Sequence, residues 1–136
     1  MSTMGEEEDV MSFKTLMIIK AIVCLAFGIA FLVAPVKLLS IFGVTLGAGA
    51  AFPAREYGAA LFGNLALTWF AREASESVAR LAIIRALFVY DALGVVVTGI
   101  ALYTGVLNQF GWIVIAVYLF FTLGFGYYLF VSPDTK

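Results

Sequence analysis

The chain has 136 residues, of which 63% are hydrophobic and only 12% are charged, with a formal net charge of −1. Soluble domains are about 45–50% apolar and about 25% charged, so this composition favours lipid over water as the solvent around the folded chain. The aromatic content of 15% excludes a disordered chain, and the few scattered Lys and Arg residues exclude a nucleic-acid-binding surface.

The first ten residues form an acidic tail, because Glu6, Glu7, Glu8 and Asp9 precede the first apolar segment. The acidic leader and the length of the apolar segment argue against a secretory signal peptide. Such a tail repels an anionic membrane surface, so it is either solvated or held by a basic surface on another subunit.

Four apolar segments are suited to cross a membrane, which takes about 20 residues in a helix. They lack the alternation of membrane strands, so we expect helices. Because two of the three connections are short, neighbouring spans should be antiparallel. The sequence predicts an all-α, single-domain protein, an up-down-up-down bundle of four transmembrane helices with spans at about 13–35, 53–72, 78–103 and 109–131.

The connections carry their own signals. In the long first connection, Pro35 at a helix start and Gly43 at its end predict one short interfacial helix. Ser75 or Ser77 should cap the third span, and Asn108 should cap the fourth.

Orientation is predicted from the Lys and Arg residues near the span ends. One side holds Lys14, Arg72, Arg80 and Lys136, whereas the other holds Lys37 and Arg55. We therefore expect a multi-pass protein of the cell inner (plasma) membrane with both termini in the cytoplasm.

Asp91 is the polar residue that demands the most explanation. It lies midway along the third span, where an ionised carboxylate costs about 2.5–3.5 kcal/mol or more. Asn64 should lie at a similar depth in the second span, so we expect the two to face each other or a shared water. They could form a proton or cation site, or a buried hydrogen bond that locks two helices together.

Lys20 and Arg85 enter their spans from the same side as each other. They could line a basic vestibule, bind anionic lipid head groups, pair with Asp91, or extend to the interface without a function. Arg85 and Asp91 lie on different faces of one helix, so Lys20 is the better salt-bridge candidate for Asp91.

Other residue patterns indicate packing rather than chemistry. Small residues four positions apart, Ala59 with Gly63 and Gly94 with Thr98, favour close helix contact within the bundle or between protomers. The chain has no histidine and a single cysteine, Cys24. It shows no phosphate loop, nucleophile–base pair or metal-ligand cluster, so we expect no catalytic, cofactor or metal site.

Three functions fit this pattern. The first is a non-catalytic accessory or packing subunit, with the lipid bilayer and other membrane subunits or further copies of itself as partners and no nucleic acid. The second is a small oligomeric transporter or channel with a proton or cation site at Asp91, which would need a polar line through Arg85, Asn64 and Glu56. The third is a quinone- or lipid-handling enzyme subunit.

The run FLVAPVKLLSIFGV, followed by REYGAALFGNLALTWFAR, resembles a pattern in small, uncharacterised four-helix membrane proteins of prokaryotes that are loosely DoxX-like. The resemblance covers the first two spans. It implies a four-helix membrane fold but no activity and no site residues.

Overall fold

The computed structural model describes residues 12–131, so the acidic tail predicted at residues 1–10 lies outside the described residues. Within this range the fold is all-α, with five α-helices and no strand. The helices are α1 (Phe13–Val33), α2 (Pro35–Ile41), α3 (Ala51–Phe70), α4 (Val78–Tyr103) and α5 (Gly111–Gly126), and α5 continues into a π-helical turn, Tyr127–Val131.

Serine side chains cap the amino-terminal ends of two of the long helices. The Ser12 hydroxyl accepts a hydrogen bond from the Thr15 amide, and the Ser77 hydroxyl accepts one from the Arg80 amide, each at 3.1 Å. Each bond satisfies one of the amides that the first turn of a helix leaves unpaired. Ser77 is thus the capping residue of α4, and the predicted bounds of this helix, 78–103, are confirmed.

The short helix predicted in the first connection is confirmed as α2. It begins at Pro35 and is followed by Gly43, whose φ of +85° favours glycine. The first span ends at Val33 rather than at residue 35, because the proline disfavours helical backbone at Ala34, where φ is −141°.

Two of the long helices begin two residues away from the approximate span starts. α3 begins at Ala51 rather than at Pro53, and the proline fits its first turn because amides there have no partner within the helix. α5 begins at Gly111 rather than at residue 109. Asn108 therefore precedes the capping position, and its Oδ1 accepts a hydrogen bond from the Phe110 amide at 2.9 Å.

Three of the helices described are long and apolar enough to cross a membrane: α1, α4, and α5 with its π-helical turn. Their outward faces carry large apolar side chains, such as Val33, Leu123 and Phe130, that are at least 64% exposed. Such faces are typical of a protein surrounded by lipid. α3 is 20 residues long but less apolar, since it includes Arg55 and Glu56.

The long helices pack as two antiparallel pairs. α1 packs mainly against α3, and α4 packs mainly against α5, while α1 also contacts α5. We call the side where α1 begins and α5 ends the terminal side, and the opposite side the connection side. An apolar cluster joins the two pairs near the terminal side; it consists of Phe13, Leu16, Met17, Ile84, Leu87, Phe121, Phe125 and Tyr128.

Glycines allow close contact within each pair. A Cβ on Gly58 would lie 3.0 Å from the Leu32 amide nitrogen and 3.1 Å from the Gly28 carbonyl oxygen, so α1 and α3 meet backbone to backbone. In the other pair, Gly94 of α4 leaves room for the ring of Tyr118. The small-residue pattern predicted at Gly94 and Thr98 thus packs inside the bundle, where Thr98 is buried.

Candidate functional site

A buried ion pair joins the two helix pairs. Lys20 of α1 and Asp91 of α4 are 3% and 0% exposed, and the Lys20 Nζ donates a hydrogen bond to the Asp91 Oδ1 at 2.6 Å. Burying either charge alone would carry a large desolvation cost, and the attraction between the two charges offsets that cost. The sequence-based preference for Lys20 as the partner of Asp91 agrees with this geometry.

Two aromatic rings also contact the Lys20 ammonium group. Its Nζ lies 4.8 Å from the centre of the Tyr90 ring and 4.7 Å from that of the Phe121 ring. Both distances are within the range of a cation–π interaction, which is stronger away from water. The ammonium therefore contacts a carboxylate oxygen and two rings.

Asp91 is less completely satisfied than Lys20. Its second carboxylate oxygen, Oδ2, is buried and has no hydrogen-bond partner among the described residues. Buried polar atoms are almost always hydrogen-bonded in folded proteins. This oxygen therefore retains an unused capacity to accept a hydrogen bond.

Three tyrosine hydroxyls form a second polar cluster. The Tyr57 hydroxyl of α3 is 2.7 Å from the Tyr90 hydroxyl of α4 and 2.5 Å from the Tyr118 hydroxyl of α5. These hydrogen bonds connect α3 to the other helix pair. Three hydroxyl protons are shared between only two hydrogen bonds, so one of the protons has no acceptor within the cluster.

The ion pair and the tyrosine cluster both line one cavity of about 330 Å³. Most of its wall is aromatic or aliphatic, with side chains from all five helices. The aromatic members are Phe27, Phe31, Phe42, Tyr57, Tyr90, Tyr118 and Phe121, and Cys24 also lines it. A mostly apolar cavity with a few polar groups is the usual form of a small-molecule site.

The short helix α2 lies at the connection side of this cavity, where it contributes Leu38 and Leu39 to the lining. Asn108 fixes its position, since the Asn108 Nδ2 donates to the Ile41 carbonyl at 3.0 Å and the Asn108 amide donates to the Phe42 carbonyl at 2.8 Å. The first and last connections of the bundle are thereby joined.

The structure does not bring all four of the predicted polar residues together. Asn64 is partly buried, but its Nδ2 donates to the Ala60 carbonyl of its own helix at 3.4 Å. The expected hydrogen bond between Asn64 and Asp91 is therefore not observed, because Asp91 Oδ1 pairs with Lys20 and Oδ2 has no partner in residues 12–131. Arg85 is exposed on the surface of α4.

Neither the tyrosine cluster nor the cavity was predicted from the sequence. Tyr57 is only partly exposed and is hydrogen-bonded to two other tyrosines. One available signal was the position of Tyr90 directly before Asp91, within the apolar part of the third span. Cys24 gave no signal, since an apolar neighbourhood is ordinary for a cysteine.

A separate charged contact lies on the terminal side, where Glu73 belongs to the turn between α3 and α4 and lies outside the membrane-spanning segments. The Lys14 Nζ is 3.0 Å from the Glu73 Oε2, and both side chains are more than half exposed. The hydrogen bond and charge of Lys14 lower the pKa of the Glu73 carboxyl below its ordinary value. This contact ties the start of α1 to the turn between α3 and α4.

No group of three potential metal-ligating side chains lies together within residues 12–131. The chain matches no protein-family model, no curated protein and no solved structure. The resemblance to DoxX-like proteins therefore stays a prediction, and the function has to be argued from the site itself.

Proposed function

We propose that this chain is a non-catalytic integral membrane protein with four membrane-spanning helices, and that it serves as an accessory subunit of a membrane assembly. The fourth span in this proposal is α3. Its 20 residues are long enough for the hydrocarbon layer, and it packs more extensively against α1 than against any other helix described.

The exposed face of α3 is the observation that carries the proposal. Small side chains follow one another along it, at Ala59, Ala60, Gly63 and Ala66, all of them exposed. A Cβ on Gly63 would meet nothing within 4 Å. Helices associate in membranes through such faces because the backbones can approach closely.

Two charged residues near the start of α3 also suit a protein partner. Arg55 and Glu56 are exposed on the least apolar of the long helices, and the Arg55 Nε donates to the Leu32 carbonyl at 3.1 Å. Both charges lie near the connection-side end of the helix, where water or the polar surface of a neighbouring subunit can solvate them. A neighbouring subunit, or a second copy of this chain, is the partner that we propose.

The association can be tested by adding one bulky side chain to the exposed face of α3. Gly63→Leu places bulk on the α3 face without a clash inside the chain, and Ala86→Leu places similar bulk on the exposed surface of α4. After gentle extraction with native lipids, we expect the wild-type and Ala86→Leu proteins to carry the partner or a second copy, and Gly63→Leu to lose it. Native mass spectrometry gives the masses. A wild-type protein that is monomeric and alone, or an unaffected Gly63→Leu complex, would contradict the proposal.

A small oligomeric transporter or channel is the second candidate, because the cavity lies beside the buried Asp91 carboxylate. A transport path also needs polar groups beyond Asp91. Among the residues described, Arg85 and Glu56 are exposed and Asn64 bonds within its own helix, which is why the accessory role is preferred. Proton or cation uptake into proteoliposomes that is abolished by Asp91→Asn would reverse this preference.

We further propose that the protein lies in the cell's inner membrane with both termini in the cytoplasm. The cations Lys14, Arg72 and Arg80 on the terminal side support this orientation. In a Cys24→Ala background, an impermeant thiol reagent added to intact cells should label Thr45→Cys and leave Ser75→Cys unlabelled. Both positions are exposed in the folded chain. The reverse labelling pattern would mean the opposite orientation.

A further inference from the structure

We propose that the cavity between the helix pairs binds a small, uncharged, largely apolar molecule that carries one hydroxyl group. The hydroxyl would lie between Asp91 and the tyrosine cluster, and the apolar body would fill the aromatic part of the cavity. This inference does not depend on the accessory role, since it concerns the interior of a single chain.

The unused hydrogen-bonding groups define the polar part of the ligand. The Asp91 Oδ2 is an acceptor without a partner among the described residues, and the tyrosine cluster has one proton more than its two hydrogen bonds use. A hydroxyl both donates and accepts, so it is the simplest single group with the two functions that these cavity-lining residues leave unused. An ammonium group cannot accept, and an ether oxygen cannot donate.

The charge balance requires a neutral ligand. Lys20 and Asp91 neutralise each other, and the ammonium is already in contact with Asp91 Oδ1 and the rings of Tyr90 and Phe121. A charged ligand would bring a further buried charge with no counter-charge nearby, which is costly in a membrane interior.

The size and the walls define the apolar part. A volume of about 330 Å³ lies at the lower end of the range for small-molecule sites, so it suits a ligand of one ring with a short chain. Aromatic walls from Phe27, Phe31 and Phe121 favour a ring through edge and offset contacts.

The test uses 4-propylphenol, its methyl ether 4-propylanisole, and propylbenzene. Each compound is titrated by isothermal calorimetry into lipid nanodiscs that hold the full chain and into empty nanodiscs. Subtracting the heats measured with empty nanodiscs separates binding to the protein from partition into lipid. We expect saturable binding of the phenol and binding about tenfold or more weaker for the two compounds without a hydroxyl, because a hydrogen bond to a charged group is lost.

Variants locate the site. Asp91→Asn should weaken phenol binding about tenfold, and Val114→Phe should abolish it by filling the cavity. Val96→Phe adds the same ring to the exposed surface of α4 and should leave binding unchanged. If Asp91→Asn does not fold, Val114→Phe and the ligand series carry the test. No saturable binding, equal binding of the phenol and its ether, or full binding by folded Val114→Phe would each overturn the proposal.

Discussion

The Lys20 ammonium and the Asp91 carboxylate lie 2.6 Å apart although 71 residues separate them in the chain. Apolar contacts between helices cannot drive their association strongly in a membrane, since lipid tails are as apolar as leucine side chains. A polar contact between α1 and α4 therefore contributes specificity that the surrounding apolar cluster does not supply. We regard this pair as the contact that sets the position of one helix pair against the other.

Breaking the ion pair from one side should destabilise the protein strongly. Lys20→Met leaves Asp91 buried without a counter-charge, and we expect a loss of about 3–5 kcal/mol in the free energy of unfolding. The double variant Lys20→Met/Asp91→Leu removes both charges, and leucine has nearly the shape of aspartate. It should be closer to wild type in stability than Lys20→Met. Reversible unfolding in mixed micelles measures the free energy of unfolding of each variant. A double variant that is less stable than Lys20→Met would contradict the prediction.

Two glycines should respond in opposite ways to alanine. Gly94→Ala would force its methyl group against the ring of Tyr118, so we expect a loss of about 1–3 kcal/mol from overpacking. Gly63→Ala meets only open space and should be neutral, or stabilising by up to about 1 kcal/mol because alanine favours helix. Thermal unfolding of both variants makes the comparison. Equal effects would mean that Tyr118 does not pack on Gly94.

The hydroxyl of Tyr57 should matter more than that of an exposed tyrosine. Tyr57→Phe removes two hydrogen bonds, each with a net contribution of about 0.5–1.5 kcal/mol, so a destabilisation of about 1–3 kcal/mol is expected. Tyr103→Phe is the control, because Tyr103 is 92% exposed. If both variants unfold alike, the tyrosine cluster does not connect α3 to α4 and α5.

The Glu73 carboxyl should report on the contact with Lys14. Because its pKa is lowered in the folded protein, the contact stabilises the fold above the ordinary pKa of a glutamate. That contribution is lost as the pH falls through the lowered pKa. Lys14→Gln should raise the pKa of Glu73 towards its ordinary value, as measured by NMR titration of the carboxyl carbon. Stability near neutral pH should hardly change, since exposed ion pairs contribute little.

The sequence was sufficient for helix α4, for α2 between Pro35 and Gly43, and for Lys20 as the better partner of Asp91. These features follow from local rules: capping serines, proline and glycine positions, and the cost of a charge in an apolar segment. Asn64 shows the limit of such rules. Its depth along the helix could be read from residue counting, but the direction of its side chain depends on the packing of α3 against α1. For the same reason, the sequence alone did not predict that tyrosines from three helices form a hydrogen-bonded cluster.

The distance along the chain between Lys20 and Asp91 has a consequence for biosynthesis. α1 and α3 are made first, and during that time Lys20 enters the bilayer with no carboxylate partner in its own helix pair. Its ammonium group must then stay near the head groups, held by the flexible methylene chain, until α4 is made. We expect α1 to shift deeper when Asp91 arrives, so the final depth of the first helix is fixed by a residue translated long after it.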